Sequence, residues 1–414
     1  MDNLAHTLLG AVAAKAGPGR GRPLATAALV IGSNLPDADA FFRGHGEYEY
    51  LEAHRGLTHS FAGIAIMGPA FGLLLWGIGW ALGQWGRARR RPEVPDRISG
   101  SGELMGAGRS GAPDETDRST TGPTLRSGPG LLVVLSTAAM LVHLLFDWTN
   151  SYGVRPFLPF SHQWFYGDLA FIIDPWLWLI LGAGLHLASR RRRGVDIPAW
   201  IGWAVLSLPI LLLSAVPVLS KGVWLAGLVL LAAVRYVRRT PVSVEQRAER
   251  GRAGSVGLLA PRAALASLVL YGLCLAGLHA VALRRAKAEM TEALSGGPFD
   301  RLAVMPRPAD PFHWDVMCET PAEVVAGSVG ALPGAAGGLH PRRQPRRLDL
   351  PEVRAALETD AGRAAHAFAR FLTAELRTSD AGTVVALRDA RFAQSGHDGW
   401  ATVLVPVQAA VPGR

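Results

Sequence analysis

Aspartate and histidine gather in this chain where an apolar sequence has least use for them. The stretch Asn34 to Ser60, NLPDADAFFRGHGEYEYLEAHRGLTHS, places Asp37, Asp39, His54 and His59 in a short non-helical connection with apolar segments on both sides. Acidic and imidazole side chains at the mouth of a membrane span are costly unless something binds them. Carboxylate oxygen and neutral imidazole together are an ordinary donor set for zinc and related divalent ions. A second pair follows far along the chain: His143 and Asp147 are four apart in HLLFD, so a helix presents both on one face. A metal site takes two ligands from adjacent helical turns in this way, although a buried His–Asp hydrogen bond has the same spacing. His6, on an N-terminal apolar segment, is the seventh candidate.

Each candidate has an ordinary explanation when taken singly. Asp37 follows Pro36 and can cap a turn, and Asp39 can cap a helix starting at Ala40. His6 alone on an apolar helix is commonly a packing histidine, and an interfacial His54 or His59 is commonly solvated. Convergence of all of them at one membrane face is what points to a divalent metal centre. Zn2+ is the first expectation, with Mn2+ or Fe2+ as alternatives and one or two ions per chain. Asp168 and Asp174 stand apart: Asp174-Pro175 is a helix-start signal, and either residue is expected at most to orient a ligand.

The elements that must position these residues are apolar and long. Residues 61–83 carry no charge, a length sufficient for a bilayer crossing, and similar runs occupy 130–149, 169–189, 198–219, 222–237 and 262–283. The expected fold is an all-α polytopic membrane domain of about six long spans plus a short N-terminal helical hairpin, 4–16 and 24–35. A small soluble α+β domain follows. There, 350–376 reads as a helix and 383–391 and 400–408 read as strands. The expected divisions are 1–83, a disordered cytoplasmic loop at 84–129 rich in Gly, Ser, Arg and Pro, membrane helices over 130–287, and the terminal domain at 288–414.

The net charge of +9 is not a nucleic-acid signature. Its arginines cluster at Arg87 to Arg91, Arg190 to Arg193, Arg235 to Arg239 and Arg247 to Arg262, each beside the end of an apolar run and without interleaved aromatics. The positive-inside rule puts these clusters in the cytoplasm. That topology places every candidate ligand, and the terminal domain, on the opposite face of an inner (cytoplasmic) membrane. Arg284, Arg285 and Lys287 fit it poorly. Two cysteines, Cys274 and Cys318, offer neither a disulfide framework nor a CxxC metal set. The N-terminus lacks the basic region of a secretory signal, so His6 is expected to be retained.

His6, NLPDAD, HRGLTHS, HLLFDWTNSYG and the later IIDP together resemble the YdjM-type membrane-bound metal-dependent hydrolases over residues 1 to about 180. PRPADPFHW (306–314) and LRDARF (387–392) also resemble that family's trailing domain. The resemblance extends more distantly to zinc-dependent phospholipase C and P1-type nucleases. It implies ligand roles for His6, Asp37 or Asp39, His59, His143 and Asp147, with His54 beside them. The HxxxE pair of those soluble enzymes has no counterpart in this sequence.

A metal at such a site favours hydrolysis, because it acidifies bound water and polarises a phosphoryl or carbonyl oxygen. Asp37 or Asp39, whichever is not a ligand, is expected to accept the water's proton, and Arg55 to stabilise an anionic transition state. The expected partners are the lipid bilayer and an amphipathic substrate, a phospholipid or lipid-linked phosphate. Two rival readings use the same residues. A transporter or metal-handling channel predicts polar residues at the midplane of several spans, and 198–219 and 222–237 lack them. A scaffold whose metal merely staples the loops requires only the ligands.

Overall fold

The computed structural model describes residues 1–39, 55–89, 127–189, 193–214, 216–237, 256–332, 339–379, 382–392 and 398–407. Helices α1 (Asn3–Ala16) and α2 (Pro23–Gly32) form the expected N-terminal hairpin. Asp2 caps α1 by accepting from the Ala5 amide, and Pro23 opens α2 where its missing N–H costs nothing. A 3-10 turn at Leu57–His59 then leads into α3 (Phe61–Arg89). Next come α4 (Pro129–Trp148), α5 (Pro175–Ala188), α6 (Arg193–Leu212), α7 (Val218–Val237) and α8 (Val256–Ala293).

Among the described residues, four helices are long and apolar enough to cross a membrane: Phe61–Trp85, Pro129–Trp148, Val218–Val237 and Leu258–Ala293. The other two expected spans are shorter. The run 169–189 is non-helical until Asp174, whose carboxylate accepts from the Trp176 amide and so starts α5 late. The apolar part of α6 is confined to Asp196–Leu212. The loop expected at 84–129 lies largely outside the described residues; of its ends, α3 continues to Arg89 and α4 starts at Pro129.

Tight packing between α3 and α4 depends on missing side chains. A Cβ on Gly72 would lie 2.6 Å from the Val133 Cα, and Ser136 Oγ donates to the Gly68 carbonyl at 2.5 Å. This small-xxx-small stripe lets two backbones meet where no hydrophobic effect drives helices together.

Helix α8 has 38 residues and is about 57 Å long, well beyond a hydrocarbon core of about 30 Å. Its end is the core of the terminal domain: Ala282, Ala286 and Met290 pack on Val304, Trp314, Val316 and Val325. The helix therefore runs through the boundary expected at 287–288. One of the ill-fitting cations also finds its explanation. Arg285 donates to the carbonyls of Gly330 and Leu332, so it serves the domain rather than the membrane edge.

The terminal domain holds two antiparallel sheets. One is β1 (Arg301–Arg307), β2 (Asp310–Glu319), β3 (Glu323–Gly330) and β4 (Arg342–Pro345), in that order. The other is β5 (Leu372–Ser379), β6 (Gly382–Asp389) and β7 (Thr402–Val407). The helix expected at 350–376 is broken into α9 (Pro351–Leu357) and α10 (Asp360–Phe368), and its last part is strand β5. Thr359 interrupts it by capping α10. Beyond Phe368, full pairing of Leu372–Ser379 with β6 overrides the helix propensity of AEL. One core cluster carries a residue from the membrane unit: Tyr152 packs among Val353, Phe368, Leu372, Val385 and Val403.

Candidate metal centre

The site forms where three chain segments meet. α2 ends at Gly32, and a 3-10 turn over 35–39 presents Asp37 and Asp39. The turn before α3 presents His59, and the last turns of α4 present His143 and Asp147. His59 Nε2 lies 3.4 Å from Asp37 Oδ1 and 3.3 Å from Asp147 Oδ2. His143 Nε2 lies 3.5 Å and 3.6 Å from the same two oxygens, and 3.1 Å from His59 Nε2. Asp37, His59, His143 and Asp147 each offer one such atom, all within 4.8 Å of one another. Four donors about 2.0–2.2 Å from a central ion in a tetrahedron would stand about 3.3–3.6 Å apart. The four histidine–aspartate separations already fall in that range, and the two imidazole nitrogens stand slightly closer.

The far nitrogen of each histidine is anchored, which leaves the near one for the cluster. His143 Nδ1 is 2.7 Å from the Ser33 carbonyl oxygen, which can only accept, so Nδ1 carries the proton. His59 Nδ1 faces Asp39 Oδ2 at 3.3 Å and Thr58 Oγ1 at 3.1 Å. Imidazoles held in this way are characteristic of metal ligands with outer-shell partners. Asp39 itself accepts from the Arg55 amide at 2.8 Å, a contact that holds Arg55 in the left-handed region at φ 54°.

Three carboxylates crowd this site. The carboxylates of Asp37, Asp39 and Asp147 are opposed by the Arg55 guanidinium, 3.2 Å from Asp147 Oδ2, and by the Met1 amino group, which also reaches Asp147. Burial alone would push the His59 imidazole down, but hydrogen bonds to Asp147, Asp37 and Asp39 outweigh it and raise it to about 10. Burial likewise pushes Asp37 up, and its hydrogen bond with His59 and the charge of His143 more than reverse this. The carboxylates thus favour positive charge at the point where the donors converge. Asp37 Oδ2 and His6 Nδ1, both buried, have no hydrogen-bond partner among the described residues.

The sequence candidates fall into place unevenly. Asp37, His59, His143 and Asp147 form the cluster. His6 stands beside it, stacked on His143 with ring centroids 3.9 Å apart and Nε2 3.3 Å from Asp147 Oδ1. Asp39 lies on the far side of the His59 ring. Arg55 is buried and donates to the carbonyls of Asp147 and Gly153 and to Asn150 Oδ1. His54 lies outside the described residues, as does the helix expected to start at Ala40. Asp174 is the helix cap expected of it, whereas Asp168 forms a two-pronged ion pair with Arg370 of the terminal domain.

Sequence reasoning missed Ser33, Thr58, Asn150 and Tyr152. The first two act through a backbone carbonyl or a lone hydroxyl, for which sequence carries no signal. Asn150 and Tyr152 sat in view within HLLFDWTNSYG.

No curated protein and no solved structure matches the chain. A comparison with protein families matches residues 1–239, more than half of the 414, to the family described as YdjM inner membrane protein. With four helices among the described residues able to cross a membrane and a His/Asp cluster able to hold a metal ion, the chain belongs to the YdjM inner membrane protein family.

Proposed function

We propose that this protein is a membrane-embedded metal-dependent hydrolase acting on an amphipathic substrate, a phosphate ester or lipid, at the extracytoplasmic face. The observation that carries the reading is the donor set. Structural zinc sites are built mainly from cysteine and histidine, whereas histidine mixed with carboxylate is the donor set of catalytic zinc. Here two imidazole nitrogens and two carboxylates converge with no cysteine among them.

In this reading Asp37, His59, His143 and Asp147 hold one divalent ion, Zn2+ by donor type, with Mn2+ or Fe2+ as alternatives. When bound, such an ion supplies Lewis acidity that brings water's pKa down to about 7 and polarises a phosphoryl or carbonyl oxygen. Asp39 keeps the proton of His59 on Nδ1, and the Ser33 carbonyl does the same for His143. The acceptor for the attacking water's proton is Asp37 through Oδ2, buried with no partner among the described residues, rather than the non-ligand Asp39, whose Oδ2 is engaged by His59 and the Arg55 amide. Arg55 holds the Asp147 carboxylate and offsets the charge of an incoming anionic group. His6 packs on His143 and limits its rotation. The orientation rests on the arginine clusters Arg190 to Arg193 and Arg235 to Arg239, which the positive-inside rule assigns to the cytoplasm.

One feature favours a second reading, a metal staple without turnover. Four protein donors complete a tetrahedron, whereas catalytic zinc keeps a position for water. The deciding experiment incubates the purified full-length protein in nanodiscs, loaded with zinc, against phospholipids and lipid-linked phosphates. Product release that is abolished by His143→Ala supports the hydrolase. Stoichiometric metal with no product across the panel supports the staple.

A further inference from the structure

A cavity of about 520 Å³ lies between the loop that follows α4 and the terminal domain. Its walls are largely apolar: Tyr152 and Phe171 come from the membrane unit, and Met305, Phe392 and Trp400 come from the domain. Trp400 stacks on Tyr152 with centroids 5.6 Å apart and planes 10° apart, and Phe392 lies 5.0 Å from Trp400. The volume falls within the range of small-molecule sites.

Two relationships connect this cavity to the metal centre. Asn150 and Tyr152 line it, and both touch Arg55: Asn150 Oδ1 accepts from Arg55 at 3.1 Å, and the guanidinium sits 4.5 Å from the Tyr152 ring. The same guanidinium holds Asp147. One side chain therefore separates the cluster from the cavity wall.

The charged groups on the wall are already balanced. Arg391 is bound to Asp389 through two nitrogens, at 3.0 Å and 2.6 Å, and also donates to the Ser151 carbonyl. Asp315 is 3.5 Å from Arg307. The cavity offers a visiting ligand aromatic and thioether surface rather than a spare ionic partner. The loop that lines it also carries exposed apolar side chains. Phe160, 89% exposed, and Phe157, 48% exposed, project from the same loop, and the Pro156 carbonyl accepts from the first amide of α3.

We infer that this cavity receives the hydrocarbon chain of the amphipathic substrate, so that the terminal domain forms one wall of the active site. The inference rests on reading the metal centre as hydrolytic, and it names the substrate class as a lipid whose chain leaves the bilayer beside Phe157 and Phe160. The scissile group then lies on the Arg55 side and the chain on the Trp400 side.

The test uses the full-length protein in phosphatidylethanolamine and phosphatidylglycerol nanodiscs doped with a phosphatidylglycerol bearing a diazirine at its chain end. After illumination, label is mapped by mass spectrometry. Label is expected on the tryptic peptides starting at Leu302 and Phe392, in addition to the lipid-facing helices. Ser151→Trp, which fills the cavity, and Trp400→Ala, at a half-exposed position, should each lower label on those two peptides about tenfold. Label on the helices should not change. Label confined to the helices overturns the inference, as does cavity label that neither variant alters. Metal content and product release on the same samples separate the two readings. Cavity labelling without turnover removes the hydrolase, while turnover without cavity labelling removes the cavity.

Discussion

The Nδ1 atom of His143 lies 2.7 Å from the main-chain oxygen of Ser33, at the end of the neighbouring helix α2. A carbonyl accepts and never donates, so this one contact fixes the tautomer and aims Nε2 at Asp37 and Asp147. It also means that α2 is held against α4 by the metal-competent residue itself. The centre is thus part of the packing of the helical hairpin.

The cluster makes a graded prediction about metal content. His143→Ala and Asp147→Ala should each abolish stoichiometric binding of zinc, manganese or iron by the purified protein. Asp39→Ala, which removes only the partner of His59 Nδ1, should weaken affinity about 10–100-fold and leave the stoichiometry at saturating metal intact. Elemental analysis with competition against a chelating dye reads both quantities. Metal content untouched by the His143 and Asp147 changes would remove the site.

Chelation should destabilise the membrane unit as well as empty the site. An ion present at about 1,000 times its dissociation constant stabilises the folded state by about 4 kcal/mol. A chelator should therefore lower the melting temperature of wild-type protein in detergent, with recovery on adding zinc. His143→Ala should melt at the same temperature with and without chelator. Equal chelator sensitivity in both proteins would assign the effect to another site.

The helical pattern and the ligand chemistry were legible in sequence because each has a short-range signature. Uncharged runs mark spans, and HLLFD puts His143 and Asp147 on one face of α4. What sequence could not supply was the contact geometry. Nothing in the chain order says that His59 turns Nδ1 to Asp39 and Nε2 to Asp147, a choice set by three segments packing together. The span count went astray at 169–189, where hydropathy runs on but the Asp174-Pro175 cap delays the helix. The 350–376 reading failed because AAHAFARFLTAEL suits a helix locally, and the β5–β6 pairing is non-local. Arg284, Arg285 and Lys287 fitted poorly because α8 continues past them to Ala293, where its Ala286 and Met290 face enters the core of the terminal domain.

Gly72 offers a test of the α3–α4 seam that supports the cluster. A Cβ there would lie 2.6 Å from the Val133 backbone, and backbone cannot move aside as a long side chain can. Gly72→Ala should destabilise by about 1–3 kcal/mol, the usual cost of overpacking. Gly77→Ala, where a Cβ meets nothing, should be neutral or slightly stabilising. Equal effects from the two changes, in thermal unfolding in nanodiscs, would mean that the seam is looser than this.

Orientation can be read chemically. Asp360, at the start of α10 with an 89% exposed side chain, suits a reporter cysteine. In a Cys274→Ser background, Asp360→Cys should react with an impermeant maleimide added to intact cells. A cysteine at Arg20, in the turn between α1 and α2, should react only after lysis. The reverse pattern would turn the protein over and place the metal centre on the cytoplasmic face.

Asp168 and Arg370 provide the strictest test of whether the terminal domain supports the centre. Their fork is two-pronged, with both bonds at 2.8 Å, and Arg370 also lies over the Tyr166 ring at 4.0 Å. Asp168 adopts φ 51° between two residues tied to the end of α4: Gly167 donates to the Trp148 carbonyl and Leu169 to that of Thr149, each at 2.7 Å. Asp147 is the next residue back along that helix. Arg370→Ala leaves a buried carboxylate without its partner and should cost about 3–5 kcal/mol. The double change Asp168→Leu with Arg370→Met removes both charges and should recover most of that loss. The loop should loosen in Arg370→Ala, and metal affinity should fall with it, because the end of α4 no longer has a fixed neighbour. A variant that loses stability but binds metal with unchanged affinity would show that the domain is docked on the centre without helping to hold it.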